Sequence, residues 1–215
     1  MSILRDNIKH LQAFHPDVGQ GLSTNPTLSD LENICAKTGY DIATLFQFNL
    51  SALQLPWGDI KFIFLDVDGV LTEGGMFYTE EGDEFKRFET KDGMAIKEAI
   101  KQGIEFGIIS SGVNKAIIQH RADMFGIKRV YVGAEQKVTI AEKWLTDMDL
   151  DWNQIGYIGD DINDLKMFDK VAIAACPADA SIPNKSAASF VLQSTGGNGC
   201  AREFLRSLPP LKSII

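Results

Sequence analysis

FLDVDGVLT, Phe64 to Thr72, ends an apolar run with two carboxylates two residues apart and then turns at a glycine. The run starts at Lys61, as KFIFLD, and four more short apolar runs follow it: IEFGIIS, RVYVG, QIGYIGD and KVAIAA. Helical patterning fills the intervals, over roughly 93–102, 113–125, 137–148 and 161–168. Short β-rich runs separated by segments long enough for crossover helices predict a mostly parallel sheet covered on both faces. The expected fold class is α/β, a doubly wound, Rossmann-like sheet.

One interval breaks the pattern. Between FLDVDG and the helix near Gly93, the stretch EGGMFYTEEGDEFKRFETKD carries two short alternating segments, MFYT and EFKRF, around EEGD. These predict a β-hairpin flap within 73–90, beside the exit of the first strand. The first 57 residues differ again, with two or three short helical patterns and a proline-containing join at LPWGD. They predict a small helical arm over 1–57, followed by the α/β domain over 58–215.

Composition narrows the function classes. At 215 residues, 45% of them hydrophobic, the chain can bury one sizeable core with a small appendage. A net charge of -8 disfavours nucleic acid and anionic membranes as partners, since either repels the protein at long range. Cys35, Cys176 and Cys200 are odd in number and irregular in spacing, which fits neither a disulfide framework nor a zinc site. Arg5, Asp6 and Lys9 stand where a signal peptide would be apolar. A cytoplasmic chain with reduced thiols, bound to no membrane, is the expectation.

The two carboxylates need an explanation. Asp66 and Asp68, at i and i+2, leave the sheet on the same side, and such a pair is costly without a proton or a cation nearby. Alone, DVDG reads equally well as a turn with an Asp cap. A second acidic group, in YIGDDINDLKMF, ends another apolar run with Asp160, Asp161 and Asp164. Helix capping accounts for one or two of these, not all three. Ligand sites of parallel sheets lie at the carboxyl ends of the strands, so Asp66, Asp68 and Asp160 can converge there. A carboxylate-rich, all-oxygen cluster suits a hard cation, Mg2+ first. GIISSG adds the hydroxyls of Ser110 and Ser111 at the second strand's exit, and GAEQKVT adds Lys137 after the third. Each is unremarkable alone, as a turn serine or a solvated lysine. In this order they would neutralise a phosphoryl group from several sides and leave Asp66 free to attack phosphorus.

DVDGVLT, IISSG, Lys137 and GDDINDLKMF together resemble the signature motifs of the haloacid dehalogenase superfamily, over Lys61 to about Leu208. The resemblance implies that Asp66 is a nucleophile forming an aspartyl-phosphate and Asp68 the general acid and base. It implies Mg2+ held by Asp66, the backbone carbonyl of Asp68, and Asp160, with Asp161 and Asp164 in support. Ser110 and Lys137 would bind the phosphoryl oxygens. The second aspartate disfavours carbon–halogen chemistry, which has no leaving oxygen to protonate. The hairpin leaves no room for a large cap domain.

Within the capless members, DVDGVLTEGGMFYTEEGDEFKRFETKDG and GGNGCAREF resemble phosphatases acting on phosphorylated 3-deoxy-2-ulosonic acids. The implied substrate is 3-deoxy-D-manno-octulosonate 8-phosphate or, alternatively, a sialic-acid-like nonulosonate 9-phosphate, from lipopolysaccharide or sialic acid biosynthesis. The implied assembly is a homotetramer, whose hairpins help build a ring and whose glycine-rich tail reaches a neighbour's site. Ser110, Ser111 and Gly112 stand where many octulosonate members have Thr-Gly-Arg, and Gln136 stands where Asp commonly precedes the lysine. Losing that arginine removes a fixed charge near the sugar carboxylate. Lys91 and Arg202 are candidate substitutes, and Thr72 and Ser111 complete the substrate candidates. A phosphotransferase is the rival enzyme class.

The arm has a resemblance of its own. NPTLSDLENICAKTGYDIATLFQFNL is similar to the closing helices of phage-repressor-type helix-turn-helix domains, and NIKHLQ to their opening helix. AFHPDVGQGLST, between them, is too short for the two helices that read DNA. Three basic residues (Arg5, Lys9, Lys37) face five acidic ones (Asp6, Asp17, Asp30, Glu32, Asp41), the wrong sign for a duplex. The prediction is a packing or oligomerisation role, with Leu28, Leu31, Ile34, Ile42, Leu45 and Phe46 forming a small cluster. A DNA-binding regulator is the alternative.

Overall fold

A computed structural model describes residues 3–14, 16–19, 21–23, 25–47, 50–53, 55–208 and 211. The chain forms two compact units, Met1–Leu55 and Pro56–Ile215.

The first unit holds helices α1 (Ile3–Phe14), α2 (Pro16–Gly19), α3 (Leu28–Thr38), α4 (Ile42–Gln47) and α5 (Leu50–Leu53). Two or three were expected; α2 and α5 are single turns, too short to register as a helical period. Thr27 and Asp30 start α3 by reciprocal capping. Leu11, Leu31, Ile34, Leu45 and Leu50 form the core. Leu28, Ile42 and Phe46, expected in that cluster, are exposed instead, because each lies on the outer face of its helix.

The second unit holds strands β1 (Phe62–Leu65), β2 (Phe77–Tyr78), β3 (Glu84–Phe85), β4 (Glu105–Ser110), β5 (Arg129–Val132), β6 (Ile155–Ile158), β7 (Ile173–Cys176) and β8 (Phe190–Val191). Its helices are α6 (Thr90–Lys101), α7 (Lys115–Phe125), α8 (Lys137–Met148), α9 (Leu165–Phe168), α10 (Ile182–Ala187) and α11 (Cys200–Arg206). Six strands form one parallel sheet in the order β5-β4-β1-β6-β7-β8. All four β1 residues are buried, as a central strand covered on both faces requires. Phe62 and Phe64 point into the layer of Ile140 and Leu145 from α8 and Met167 and Phe168 from α9. On the opposite face Phe204 of α11 lies 5.1 Å from Trp57 and 6.0 Å from Phe190, ring centre to ring centre. Successive strands move outward in one direction from β1 and in the other from β6, so the topology reverses between these two neighbours. That junction is where an open α/β sheet leaves a crevice at its carboxyl edge.

Three local features depart from expectation. Residues 161–168 form a 3-10 turn at Ile162–Asp164 and then the single turn α9, because Asp161 and Asp164 cap the start and shorten the helix. β8 was not foreseen: its two residues are too few to alternate. The glycine-rich tail is not a free arm. A Cβ on Gly196 would lie 2.0 Å from the Gly69 carbonyl oxygen, and the Gly197 N–H donates to the Val70 carbonyl at 2.9 Å. These glycines permit close backbone approach to the chain's own first loop, and α11 then packs against α6.

The hairpin forms as expected, with Phe77 opposite Phe85 and Tyr78 opposite Glu84. Met76, Phe77, Tyr78 and Phe85 are more than half exposed. Phe88 is half-buried, with the Arg121 guanidinium 5.4 Å above its ring.

Candidate active site

At the crevice between β1 and β6 lies an open cavity of about 340 Å³, lined by Asp66, Asp68, Gly74, Met76, Ser110, Ser111, Gly112, Asp160, Asp161, Ile162 and Asn163. Asp66 follows β1 directly and is only 5% exposed. The Val67 N–H donates to its Oδ1 at 2.7 Å, and Lys137 Nζ lies 2.8 Å from its Oδ2. Both oxygens are thus held and the plane of the carboxylate is fixed.

Lys137, the first residue of α8, is held in turn by Asp164. Its Nζ donates to Asp164 Oδ1 at 2.5 Å, and the Tyr157 hydroxyl donates to the same oxygen at 2.5 Å. The Asp160 and Asp161 N–H groups donate to Asp164 Oδ2 at 2.8 and 3.2 Å. Burial opposes the Lys137 charge, but Asp66 and Asp164 outweigh it and hold the pKa above the ordinary lysine value. Burial and the Asp164 charge push the Tyr157 hydroxyl well above its usual range, so it stays a donor.

One oxygen each from Asp66, Asp160 and Asp164 lies within 4.8 Å of the others, a spacing compatible with a cation. Asp164 already accepts four hydrogen bonds on its two oxygens, which leaves Asp66 and Asp160 as the ligands with capacity to spare. The Asp160 carboxylate accepts no hydrogen bond among the described residues, and it rests against the Cα of Gly69. A Cβ there would meet Asp160 Oδ2 at 2.1 Å, and the Gly69 φ of +81° also favours glycine. Burial, with repulsion from Asp66 and Asp164, pushes the Asp160 carboxyl up to about 7. Burial also pushes Asp66 up to about 7, against the pull of Lys137. Two neighbouring acids resisting ionisation, with hard oxygen donors free, fit Mg2+.

Asp68 has a partner that the sequence did not disclose. Lys86, in the hairpin, places Nζ 2.5 Å from Asp68 Oδ1 and 2.8 Å from Glu84 Oε1. The repulsion between Asp66 and Asp68 is therefore offset by two lysines of the same chain, as well as by any cation. Lys86 was hidden because its partner stands 18 residues away, and only the hairpin register brings it back. Glu84, Tyr157 and Asn163, whose amide donates to Ser111 Oγ at 3.2 Å, were also missed.

Ser110, 1% exposed, ends β4 with its Oγ accepting the Gly112 N–H at 3.0 Å. Ser111 is exposed and lines the cavity. Thr72 does not line it: the residue is 1% exposed, and its hydroxyl is shared between the Val67 carbonyl at 3.2 Å and Asp68 Oδ1 at 3.4 Å. It is tied up within the loop rather than offered to a sugar. Lys91 is exposed in the first turn of α6, and Arg202 lies on α11 with its N–H donating to Asp92 at 2.8 Å. Neither lines the cavity, since α11 is docked on its own α6.

A family model described as haloacid dehalogenase-like hydrolase matches residues 125–204. The 3-deoxy-D-manno-octulosonate 8-phosphate phosphatase of Haemophilus influenzae is 36% identical over 151 residues, 70% of this chain and 83% of the relative. A probable YrbI family phosphatase from Pseudomonas syringae superposes with a TM-score of 0.72 at 34% identity, over 76% of this chain and 92% of that one. The phosphatase of Moraxella catarrhalis, solved with a magnesium ion, a phosphate ion and a KDO molecule, gives a TM-score of 0.71 at 28% identity, over 75% and 90% of the two chains.

Proposed function

Since the chain belongs to the haloacid dehalogenase-like hydrolase family, we propose that it is a Mg2+-dependent phosphatase hydrolysing 3-deoxy-D-manno-octulosonate 8-phosphate through an aspartyl-phosphate. The observation that carries this reading is the buried Asp66, with Lys137 at 2.8 Å and, beside it, the Asp160 carboxylate, which accepts no hydrogen bond among the described residues. Octulosonate is favoured over nonulosonate because the curated relatives bear that substrate's name.

Asp66 and Asp160, with the Asp68 carbonyl, would hold Mg2+. Bound there, the cation would neutralise phosphoryl charge and steer the phosphorus toward Asp66. Ser110 and Lys137 complete the charge balance on the transferring oxygens. Asp66 attacks phosphorus while Asp68, protonated, delivers its proton to the sugar oxygen as that bond breaks. Asp68, now a carboxylate, takes a proton from the water that displaces Asp66 from phosphorus. Ser111 and Asn163 line the cavity where the sugar acid enters, and Lys91 and Arg202 remain candidates only if a neighbouring subunit presents them.

We place the enzyme in the cytoplasm as a homotetramer. Free Cys35, Cys176 and Cys200 suit a reducing compartment, and among the described residues no helix is long and apolar enough to cross a membrane. The apolar outer face of a hairpin too small to be stable alone suits contact with another subunit.

Phosphate release from octulosonate 8-phosphate and nonulosonate 9-phosphates, compared side by side, tests the proposal. It should require Mg2+, favour octulosonate, and fall by more than about 10³-fold in Asp66→Asn. Turnover indifferent to that substitution would overturn the mechanism, and a preference for nonulosonate would overturn the substrate.

A further inference from the structure

We propose that Lys86 is the positioning residue for the general acid: it holds Oδ1 of Asp68 and so leaves Oδ2 as the oxygen that exchanges the proton. This rests on the phosphatase reading above. Asp68 Oδ1 receives Lys86 Nζ at 2.5 Å and the Thr72 hydroxyl at 3.4 Å. Oδ2 has no such partner among the described residues and points toward Gly112, where a Cβ would come within 3.7 Å of it. Gly112 lines the cavity.

The hairpin delivers the lysine by strand alternation. Phe85 faces outward opposite Phe77, so Glu84 and Lys86, on either side of it, face inward. Their side chains are 5% and 2% exposed, in contrast to the exposed Phe85 between them. The ammonium is thereby held between Asp68 and Glu84, the latter 2.8 Å from Nζ. In the first half-reaction the proton on Asp68 Oδ2 passes to the ester oxygen as its bond to phosphorus breaks and the Asp66–phosphorus bond forms. In the second, the Asp68 carboxylate accepts a proton from water as the water oxygen bonds to phosphorus and Asp66 departs. Both need Oδ2 in one place.

The test separates leaving groups. Single-turnover release is measured for the sugar phosphate and for aryl phosphates of graded leaving-group acidity, with Mg2+, in the full chain. A sugar alkoxide needs the proton, whereas 4-nitrophenolate leaves without it. Lys86→Met should slow the sugar ester about 10²-fold and 4-nitrophenyl phosphate less than about 3-fold, steepening the dependence on leaving group. Lys86→Arg, which keeps the charge, should retain a slope near wild type, and Glu84→Gln should fall between. Thermal melting identifies folded variants, and Glu84→Gln and Lys86→Arg carry the test if Lys86→Met does not fold. Equal slowing of all esters, or none, would overturn the proposal while leaving the phosphatase intact. A wild-type chain inert toward every ester would overturn the phosphatase reading itself.

Discussion

Asp164 illustrates how a carboxylate beside a candidate cation site can be engaged by the fold. Its four hydrogen bonds bind the start of α8, through Lys137, to the end of β6, through the Asp160 and Asp161 N–H groups. Asp164→Ala would leave Tyr157 without its acceptor and the buried Lys137 with one counter-charge instead of two. The expected cost is about 3–5 kcal/mol, read as a lower urea midpoint at unchanged slope. At this scale the sequence discloses the acids and Lys137, because each sits where an apolar run breaks at a strand exit. It does not separate Asp164 from Asp160. Both stand in one acidic cluster, and only the structure shows that Asp164 is buried while Asp160 lines the cavity. Lys86 was equally illegible: its neighbours in sequence are the charges of an exposed hairpin, while its partner is fixed by tertiary geometry.

Among the elements, α11 is secured by a buried acid outside the site. Asp92 accepts the Gly199 and Arg202 N–H groups at 3.2 and 2.8 Å, where the helix begins. Burial pushes its carboxyl up to about 6 in spite of those donors, against an ordinary 3.8. Between these values the folded state retains a proton that the unfolded chain has lost. The group therefore favours folding most below pH 3.8, and that contribution is lost as pH rises to about 6. Wild-type stability relative to Asp92→Asn, which does not titrate, should fall by up to about 3 kcal/mol over that window in urea unfolding. Gly196→Ala should act just ahead of the same helix start. Its Cβ would press on the Gly69 carbonyl, displacing the loop that bears Asp68, and kcat should drop about 10²-fold. The long elements were legible because apolar periodicity persists through them; β8, α2 and α5 span two to four residues and carry no period. The tail was misread for a specific reason. Glycine in a sequence signals either freedom or close approach, and only the packed loop of Gly69 to Glu73 decides for approach here.

For the whole molecule, the outer face of the hairpin predicts assembly. Light scattering should give a mass near four times 23.7 kDa, and replacing Phe77 and Phe85 together by serine should yield smaller species. The arm carries its own core, and its acidic balance predicts no salt-dependent retention on duplex DNA, which a gel shift at low salt would check. Its helix count lay beyond reach of the sequence, since single turns are settled by neighbours rather than by local pattern. The clasp of the tail on the first loop also orders events in time. The Cys200 thiol donates to the Val70 carbonyl across 130 residues, and Arg202 reaches Asp92 across 110. Translation therefore delivers Asp66 well before the residues near 196–202 that fasten its loop. A growing chain already contains Asp66, Asp68, Asp160, Asp161 and Asp164 while the loop carrying Asp68 still lacks its anchor, so competence waits until residues 196–202 have been made. A chain stopped just before Gly196 would retain Asp66, Asp68, Asp160, Asp161 and Asp164 and should turn over no ester.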